Sequence, residues 1–294
     1  MDFQSIALPT ELWYLRCFAS AKIQHFFYIT TKKNFFLNKY LLFIHSQYIC
    51  EKNKMDQLIA IDIGNTRSKY AIFEGKEIIA SSTFNPYHSD LKQLISEYPN
   101  IKKGILSSVG GKVKECLAQL QGIETLTLTG HIPLPFKLGY DNKDSVGSDR
   151  LAAIAAAMES KEGQNSLIID IGTCITYDIL TSDNIHLKGP ISPGIKLRFA
   201  SMNEHTEKLP LCNATTNETK FICNTTEESL QSGVIIGIGN EIEGFINTYL
   251  NIFKEINVFI IGGDNIFFEN RFKNCIFANS NFIFNGLRYI LNYQ

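Results

Sequence analysis

The sequence has no excess of charge of either sign, since its 294 residues include 28 lysines and arginines and 29 aspartates and glutamates. A net charge of −1 provides no overall field that would recruit nucleic acid or an anionic membrane surface. Any anion must therefore be bound by a local arrangement of groups, and we expect no nucleic-acid partner. With 45% apolar and 19% charged residues, the chain has an ordinary globular composition and enough length for two domains.

Paired cysteines and long apolar runs are also missing. The seven cysteines are scattered singly without a C-x-x-C pair, which argues against a disulfide framework and against a zinc site. We therefore expect free thiols in a reducing, cytoplasmic environment. In residues 1–54, the longest uninterrupted apolar run is residues 40–44, which is far shorter than the roughly 18 residues of a membrane span. We expect no membrane partner.

Residues 1–54 differ in composition from the rest of the chain. They crowd aromatic residues and lysines together with no clear period, and they lack the ordered parts of a secretory signal. Met55 directly precedes the first apolar strand, so we predict that the natural protein begins there and that residues 1–54 come from a mis-assigned start. The alternative is an unusual targeting or docking extension, and mass spectrometry of the native N-terminus would separate the two.

Two segments, residues 58–66 and 167–173, repeat one pattern. In each, an apolar run ends in Asp-x-Gly and a small polar residue, and a second strand follows. We predict two β-hairpins with Asp62 and Asp170 at their tips. Glycine lets backbone N–H groups close on a phosphate, Thr or Asn adds a donor, and Asp can hold a cation that bridges phosphate oxygens. Two such hairpins facing one another would grip a nucleotide.

The order of the predicted elements is duplicated as well. In the first half we predict strands at 58–62, 68–73, 77–81, 104–109 and 126–129, and helices at 89–98 and 113–120. In the second half we predict helices at 151–158, 195–207, 227–250 and 282–291, and strands at 167–171, 175–180, 185–188 and 258–261. Ser148 and Asp149 provide N-cap and first-turn chemistry for the alanine-rich helix. The pattern indicates an α/β protein with two copies of one unit and a cleft between them.

Duplicated units with Asp-x-Gly hairpins and a strand ending in Gly-Gly-Asp resemble the acetate and sugar kinase, Hsp70 and actin superfamily. Within it, residues 55–294 resemble the type III pantothenate kinases. The resemblance implies duplicated ribonuclease H-like (actin-like ATPase) domains, at 55–165 and 166–294, with a nucleotide cleft between them. The matching motifs lie, in order, at 62–69, at Tyr140 with 147–150, and at 170–176, 189–194, 209–210, 224–226 with 232–233, 262–264 and 285–287.

Three positions depart from the family pattern: Cys174 replaces the common alanine, Pro190 a second glycine and Ile261 a threonine. All three are compatible with small or apolar packing positions. The resemblance implies an enzyme that uses ATP, Mg²⁺ and a monovalent cation, K⁺ or NH₄⁺, to phosphorylate pantothenate in the first step of coenzyme A synthesis. Two alternatives stay open: another kinase or phosphohydrolase of the superfamily, and a nucleotide-binding regulatory factor without catalysis.

The resemblance also implies the ATP contacts. They are Asp62, Ile63, Gly64, Asn65, Thr66, Arg67, Ser68 and Lys69 in the first hairpin, and Thr173 in the second. Because like charges repel, Asp62 would act through Mg²⁺, directly or through a water; its alternative is a hairpin-capping aspartate. Lys69 could instead be a solvated strand residue. Asp170 matches the carboxylate that places K⁺, although from the residues alone it could equally cap a turn.

Asp149 is the predicted general base. Phosphoryl transfer to a primary alcohol needs the hydroxyl aligned with the γ-phosphorus and its proton accepted as the new bond forms. With an ordinary pKa near ~4, a carboxylate would act mainly by orientation and late proton acceptance. A helix N-terminus would keep it ionised. The alternative is an unremarkable aspartate in a first helical turn.

Arg150 offers a planar fork that fits the substrate carboxylate bidentately; its alternative is a surface arginine. By resemblance, Tyr140, Gly147 and Ser148 complete the pantothenate pocket. Thr226 matches a threonine that reaches the pantothenate of the neighbouring subunit, so a homodimer is implied. Thr225 takes this role if the alignment shifts by one residue.

Overall fold

The computed structural model describes residues 56–64, 67–88, 90–109, 111–215, 220–269, 271–279 and 281–294. The predictions for residues 1–54 fall outside these residues, as do those for Asn65 and Thr66. Asp56–Gln294 forms a compact unit built around two five-stranded sheets.

The first sheet follows the strand order β3-β2-β1-β4-β5. Its strands are β1 (Gln57–Ile63), β2 (Ser68–Glu74), β3 (Glu77–Phe84), β4 (Ile101–Ser108) and β5 (Glu124–Thr127). The first three strands are antiparallel neighbours, whereas β4 runs parallel to β1 and β5 parallel to β4. The predicted hairpin of β1 and β2 is therefore confirmed.

The second sheet repeats this plan in the order β10-β9-β6-β7-β8. Its strands are β6 (Ser166–Ile171), β7 (Cys174–Leu180), β8 (His186–Pro193), β9 (Asn257–Ile261) and β10 (Cys275–Phe277). β6 and β7 form the second predicted hairpin, and β9 pairs parallel to β6. The sequence patterns do not predict β10, which has only three residues. The duplicated order is the ribonuclease H-like arrangement that the resemblance implies.

Six α-helices in the described residues cover the sheets and separate them. They are α1 (Asp90–Glu97), α2 (Val113–Gln119), α3 (Ser148–Ser160), α4 (Ile195–Glu204), α5 (Thr226–Phe253) and α6 (Phe282–Tyr293). Helices α1 and α2 pack on the outer face of the first sheet, and α4 and α5 on the outer face of the second. Helices α3 and α6 share one core with the inner faces of both sheets. None of the described helices combines the length and apolar content needed to cross a bilayer.

The alternation of side chains along the strands places both hairpin aspartates in the inner layer. In β1, Ile61 faces the outer core while Ala60 faces the inner one. Asp62, two residues after Ala60, therefore points inward as well. The same reasoning applies to Asp170, which follows the inward-facing Ile168 of β6 by two residues. Both carboxylates thus point into the layer that holds α3 and α6.

The start of α3 differs from the prediction. The helix begins at Ser148 rather than at 151, and its N-cap is Gly147, which provides no side-chain hydrogen bond. The expectation that Ser148 caps this helix is wrong. Its hydroxyl accepts the backbone N–H of Ser108 at 2.9 Å and lies 2.9 Å from the hydroxyl of Ser107. Ser148 therefore connects α3 to the end of β4 instead of closing its own helix.

Candidate active site

Asp62 lies at the carboxyl end of β1, directly beside Ser107 of the parallel strand β4. The side chain of Ser107 hydrogen-bonds the carboxylate. The hydroxyl of Ser107 also lies 2.9 Å from the hydroxyl of Ser148, which in turn accepts the N–H of Ser108. This relay joins Asp62 to the first residue of α3.

The pKa of the Asp62 carboxyl is raised to about 6, first by burial and then by the negative charge of Asp149. The hydrogen bond from Ser107 and the charge of Lys69 act in the opposite direction. Lys69 lies opposite Asp62 in the β1–β2 register and is half-buried. The positive charge of Lys69 therefore favours the ionised form of Asp62.

Asp149 is the second residue of α3. Its Oδ1 accepts the backbone N–H of Arg150 at 2.8 Å, and a Cβ at Gly147 would lie only 2.4 Å from the same oxygen. Only glycine at 147 leaves room for the carboxylate in this position. Burial raises the pKa of Asp149 above its ordinary value. The expected ordinary pKa is thus wrong, because a largely desolvated carboxylate holds its proton more tightly.

Asp170 is the last residue but one of β6. Burial raises its pKa to about 7, and the charges of Asp149, Asp62 and Asp178 add to the effect. The end of β9 closes over it at Gly262, whose φ is +96°. A Cβ there would lie 2.4 Å from Asp170 Oδ1 and 2.3 Å from the carbonyl oxygen of Ile171. Both the backbone conformation and the close approach require glycine.

The three aspartates form an electrostatically coupled group, since the charge of Asp149 raises the pKa of both Asp62 and Asp170. Their oxygen donors suit hard cations such as Mg²⁺ and K⁺. Within the part of the chain that the structure describes, no three His, Cys, Asp or Glu side chains are arranged to hold a metal ion by themselves. A cation bound here would need phosphate oxygens or water to complete its coordination.

Arg150 is buried, with 8% of its surface exposed, so the alternative of a surface arginine is wrong. Its Nε and Nη2 each donate to one oxygen of Asp178 in β7 at 2.7 Å. Asp178 Oδ1 also lies 2.7 Å from Nε2 of His186 in β8, which is fully buried. The Nε–Nη2 edge of the guanidinium is thus already committed within the protein.

Tyr140 lies over this buried cluster. Its ring stacks on His186 with a centroid distance of 5.6 Å and an interplanar angle of 10°. The Cζ of Arg150 lies 5.7 Å from the centroid of the Tyr140 ring, and the Nζ of Lys188 lies 5.4 Å from it. Two cations therefore flank one aromatic ring near Asp149, an arrangement suited to a ligand that carries a carboxylate.

The two hairpin tips lie at the surface end of the inner layer. In the first, the N–H of Gly64 donates to the carbonyl of Arg67 at 3.1 Å, Arg67 is exposed, and Ser68 pairs with Ile63 in the register. In the second, the N–H of Gly172 donates to the carbonyl of Cys174 at 3.0 Å, and Thr173 is exposed. Both tips therefore leave polar groups open to solvent.

Comparison with known proteins identifies the family. A family model described as type III pantothenate kinase matches residues 58–248. The chain belongs to the type III pantothenate kinase family. A type III pantothenate kinase of Christiangramia forsetii is 39% identical over 80% of this chain and 98% of its own length. One of Phocaeicola vulgatus is 36% identical over 80% and 98%. The prediction of this family, and hence of a kinase, is confirmed.

Solved structures with similar chains include proteins of several activities. A putative Baf family transcriptional activator of Campylobacter jejuni is 23% identical over 80% of this chain and 98% of its own, with a TM-score of 0.48. A glucokinase from an Antarctic psychrotroph is 14% identical over 82% and 100%, with a TM-score of 0.45.

Thr226, the residue predicted to contact a second subunit, lies on the opposite side of the second sheet from the three aspartates. Thr226 is the exposed first residue of α5, on the outer side of the second sheet, whereas the aspartates face the inner layer. Thr225 is the N-cap of α5, and its hydroxyl accepts the N–H of Glu228 at 3.1 Å. Thr225 therefore has a capping role in α5, whereas the contact of Thr226 with a second subunit stays a prediction.

The family motifs do not point to Asp178, His186 or Ser107. One signal was available for Asp178, which is the only charged residue in the otherwise apolar or neutral strand β7. A charged residue within a buried strand is rare unless it is paired. For Ser107 and His186 the sequence holds no comparable signal, since their roles come from partners distant along the chain.

Proposed function

We propose that this chain transfers the γ-phosphoryl group of ATP to the primary hydroxyl of pantothenate, giving 4′-phosphopantothenate and ADP in the first step of coenzyme A synthesis. The observation that carries the proposal is the position of Asp149. This carboxylate lies in the first turn of α3 and is coupled through charge to both hairpin aspartates. This coupling supports a role for Asp149 as the base beside the two strand ends that the nucleotide phosphates would approach.

Asp149 orients the pantothenate hydroxyl and accepts its proton. As the new oxygen–phosphorus bond forms, the bond between the γ-phosphorus and its bridging oxygen breaks, and ADP leaves with the electron pair. The raised pKa of Asp149 suits this task, because a carboxylate with a higher pKa is a stronger proton acceptor.

The hairpin tips bind the phosphates through backbone N–H groups and through Thr173, with Arg67 and Lys69 adding positive charge. Asp62 would hold Mg²⁺, directly or through water, and Asp170 would hold K⁺ or NH₄⁺. Such cations supply neutralisation of phosphate charge. The pKa values of Asp62 and Asp170 support this assignment, because burial and the charges of neighbouring carboxylates both raise them, and a bound cation would offset both effects.

Tyr140, Gly147, Ser148 and Arg150 form the pantothenate pocket in this proposal. Gly147 makes room for Asp149, and Ser148 fixes the helix start on β4. Because Asp178 occupies one edge of Arg150, the pantothenate carboxylate meets the remaining part of the guanidinium, with Lys188 as a second cation beside Tyr140. The chain acts in the cytoplasm as a homodimer, with domains at 55–165 and 166–294.

A coupled assay with ATP and pantothenate, on protein that begins at Met55, tests the reaction. We expect turnover that depends on Mg²⁺ and increases when K⁺ replaces Na⁺. Parallel reactions with hexoses in place of pantothenate test the alternative that the chain is a sugar kinase. Absence of pantothenate turnover in the presence of both cations would overturn the proposal, and binding of ATP without any turnover would favour a regulatory factor.

Mixed dimers test whether Thr226 acts across the subunit interface. Asp149→Asn and Thr226→Ala chains, each of low activity alone, are unfolded together and refolded as mixed dimers. If each site combines Asp149 of one subunit with Thr226 of the other, one site of every mixed dimer is intact and activity returns. If both residues serve the same subunit's site, no site is intact and activity stays low.

A further inference from the structure

A second polar cluster lies on the outer side of the second sheet, around Glu241 of α5. Its Oε1 accepts hydrogen bonds from the hydroxyl of Tyr177 at 3.2 Å and from the hydroxyl of Ser192, and its Oε2 accepts one from Nη2 of Arg198. These donors come from β7, β8 and α4. One carboxylate thus connects four elements.

Glu241 is held in its charged form. Burial acts to raise its pKa, but the hydrogen bonds from Ser192 and Arg198 outweigh burial and leave the pKa below its ordinary value. Tyr177 is fully buried, and burial together with the charge of Glu241 raises its pKa well above the ordinary value, so it stays a donor. Loss of the charge of Glu241 would weaken all three hydrogen bonds at once.

The cluster reaches the second hairpin through the end of β8. Arg198 Nε donates to the carbonyl of Pro193 at 2.9 Å, and Ser192 immediately precedes that residue. Next along the chain, the N–H of Gly194 donates to the carbonyl of Thr173 at 3.0 Å. A Cβ at Gly194 would lie 2.1 Å from the carbonyl oxygen of Gly172. Gly194 therefore packs directly against the hairpin tip, and Ser192 and Pro193 precede it.

We infer that Glu241 is a positioning residue for the nucleotide: through Ser192 and Arg198 it holds residues 193–194 against Gly172 and Thr173, and so sets the hairpin that meets the ATP phosphates. Glu241 itself touches no substrate in this arrangement. The inference rests on the proposed ATP site. It concerns the binding of ATP and not of pantothenate, because Tyr140 and Asp149, which would meet pantothenate, lie on the inner side of the second sheet.

The test is Glu241→Gln, which keeps the size of the side chain and removes its charge. We expect the Kd for ATP, measured by calorimetry with Mg²⁺ and K⁺ present, to rise about tenfold, the scale of one charged hydrogen bond. The KM for ATP should rise in parallel, while the KM for pantothenate stays within about twofold, a split that general loss of structure would not produce.

Glu243→Gln is the matched control. It is the same substitution two residues along α5, where Glu243 pairs with Arg271 instead. Its Kd for ATP should equal that of the wild type. Ser192→Ala removes a single donor to Glu241 and should weaken ATP binding selectively, which keeps the inference testable if Glu241→Gln does not fold.

An unchanged Kd for ATP in folded Glu241→Gln, or an equal rise in the KM of both substrates, would overturn the inference. The inference would also be overturned if the wild-type protein bound no ATP. Because calorimetry needs no phosphoryl acceptor, a wild type that binds ATP but does not phosphorylate pantothenate disproves the proposed function alone.

Discussion

Arg150 and Asp178 form a bidentate ion pair that joins the first turn of α3 to the second sheet, with two contacts of 2.7 Å. Asp178 is 2% exposed and Arg150 8%. His186, the second partner of Asp178, is fully buried. The pair fixes the residue next to Asp149, so the proposed base takes its position from the second sheet as well as from its own helix.

Asp178→Asn should lower the free energy of unfolding by roughly 3–5 kcal/mol, the usual cost of leaving one member of a buried ion pair without its partner. Urea denaturation followed by circular dichroism measures this. Asp141→Asn is the control, because Asp141 pairs with Lys188 at 3.6 Å while fully exposed. That change should cost well under ~1 kcal/mol. Equal effects of the two substitutions would show that the buried pair has no special role in stability.

Asp149→Asn should reduce kcat by about 10²-fold or more, because the amide can neither accept the hydroxyl proton nor attract it. Steady-state kinetics at saturating ATP and pantothenate measure the loss. Asp144→Asn provides the comparison, since Asp144 lies five residues upstream, is exposed and pairs with His131. Near-full activity of Asp149→Asn would show that Asp149 is not the general base.

Stability should fall as the pH rises from about 4 to about 7. The pKa values of Asp62 and Asp170 are raised to about 6 and about 7, whereas both groups titrate near ~3.9 in an unfolded chain. In this window the folded protein therefore binds more protons than the unfolded chain, so this stabilisation is complete below the unfolded pKa and is lost above the folded one.

Asp170→Asn isolates this effect. In buffer without K⁺ or Mg²⁺, its Tm should match that of the wild type near pH 4 and exceed it at pH 8, where only the wild type carries the buried charge. Asp183→Asn, in an exposed turn, should shift the Tm equally at both pH values. A Tm difference for Asp170→Asn that does not change with pH would contradict the prediction.

Gly286→Ala should destabilise the protein by at least ~2 kcal/mol, because added atoms in a packed core force the backbone apart. The new Cβ would lie 1.8 Å from the carbonyl oxygen of Ala152, where α6 crosses α3. Gly244→Ala, in the exposed part of α5 with nothing within 4 Å of the new Cβ, should instead stabilise by up to ~1 kcal/mol. Thermal unfolding of both variants checks the two signs, and a stabilised Gly286→Ala would contradict the close packing.

Local patterns in the sequence account for the hairpins and for the direction of their aspartates. Alternating apolar residues specify β1 and β6, and Asp-x-Gly specifies the turns, because both depend on residues only a few positions apart. The alanine-rich run likewise predicts α3, but its first turn was placed three residues late. The hydroxyl of Ser148 is taken by β4, a partner that no local pattern reveals.

By itself, the sequence determined the duplicated α/β plan, the two hairpins with their aspartates, the place of Asp149 at a helix start, and the family. Only the tertiary structure decided that Arg150 is committed to Asp178, that Ser148 binds Ser107, and that the charge of Asp149 adds to burial in raising the pKa of Asp62 and Asp170. Arg150 and Asp178 lie 28 residues apart in the sequence, and Ser107 and Ser148 lie 41 residues apart. They meet because α3 is enclosed between two sheets, where burial makes unpaired charge costly and selects the residues that compensate it.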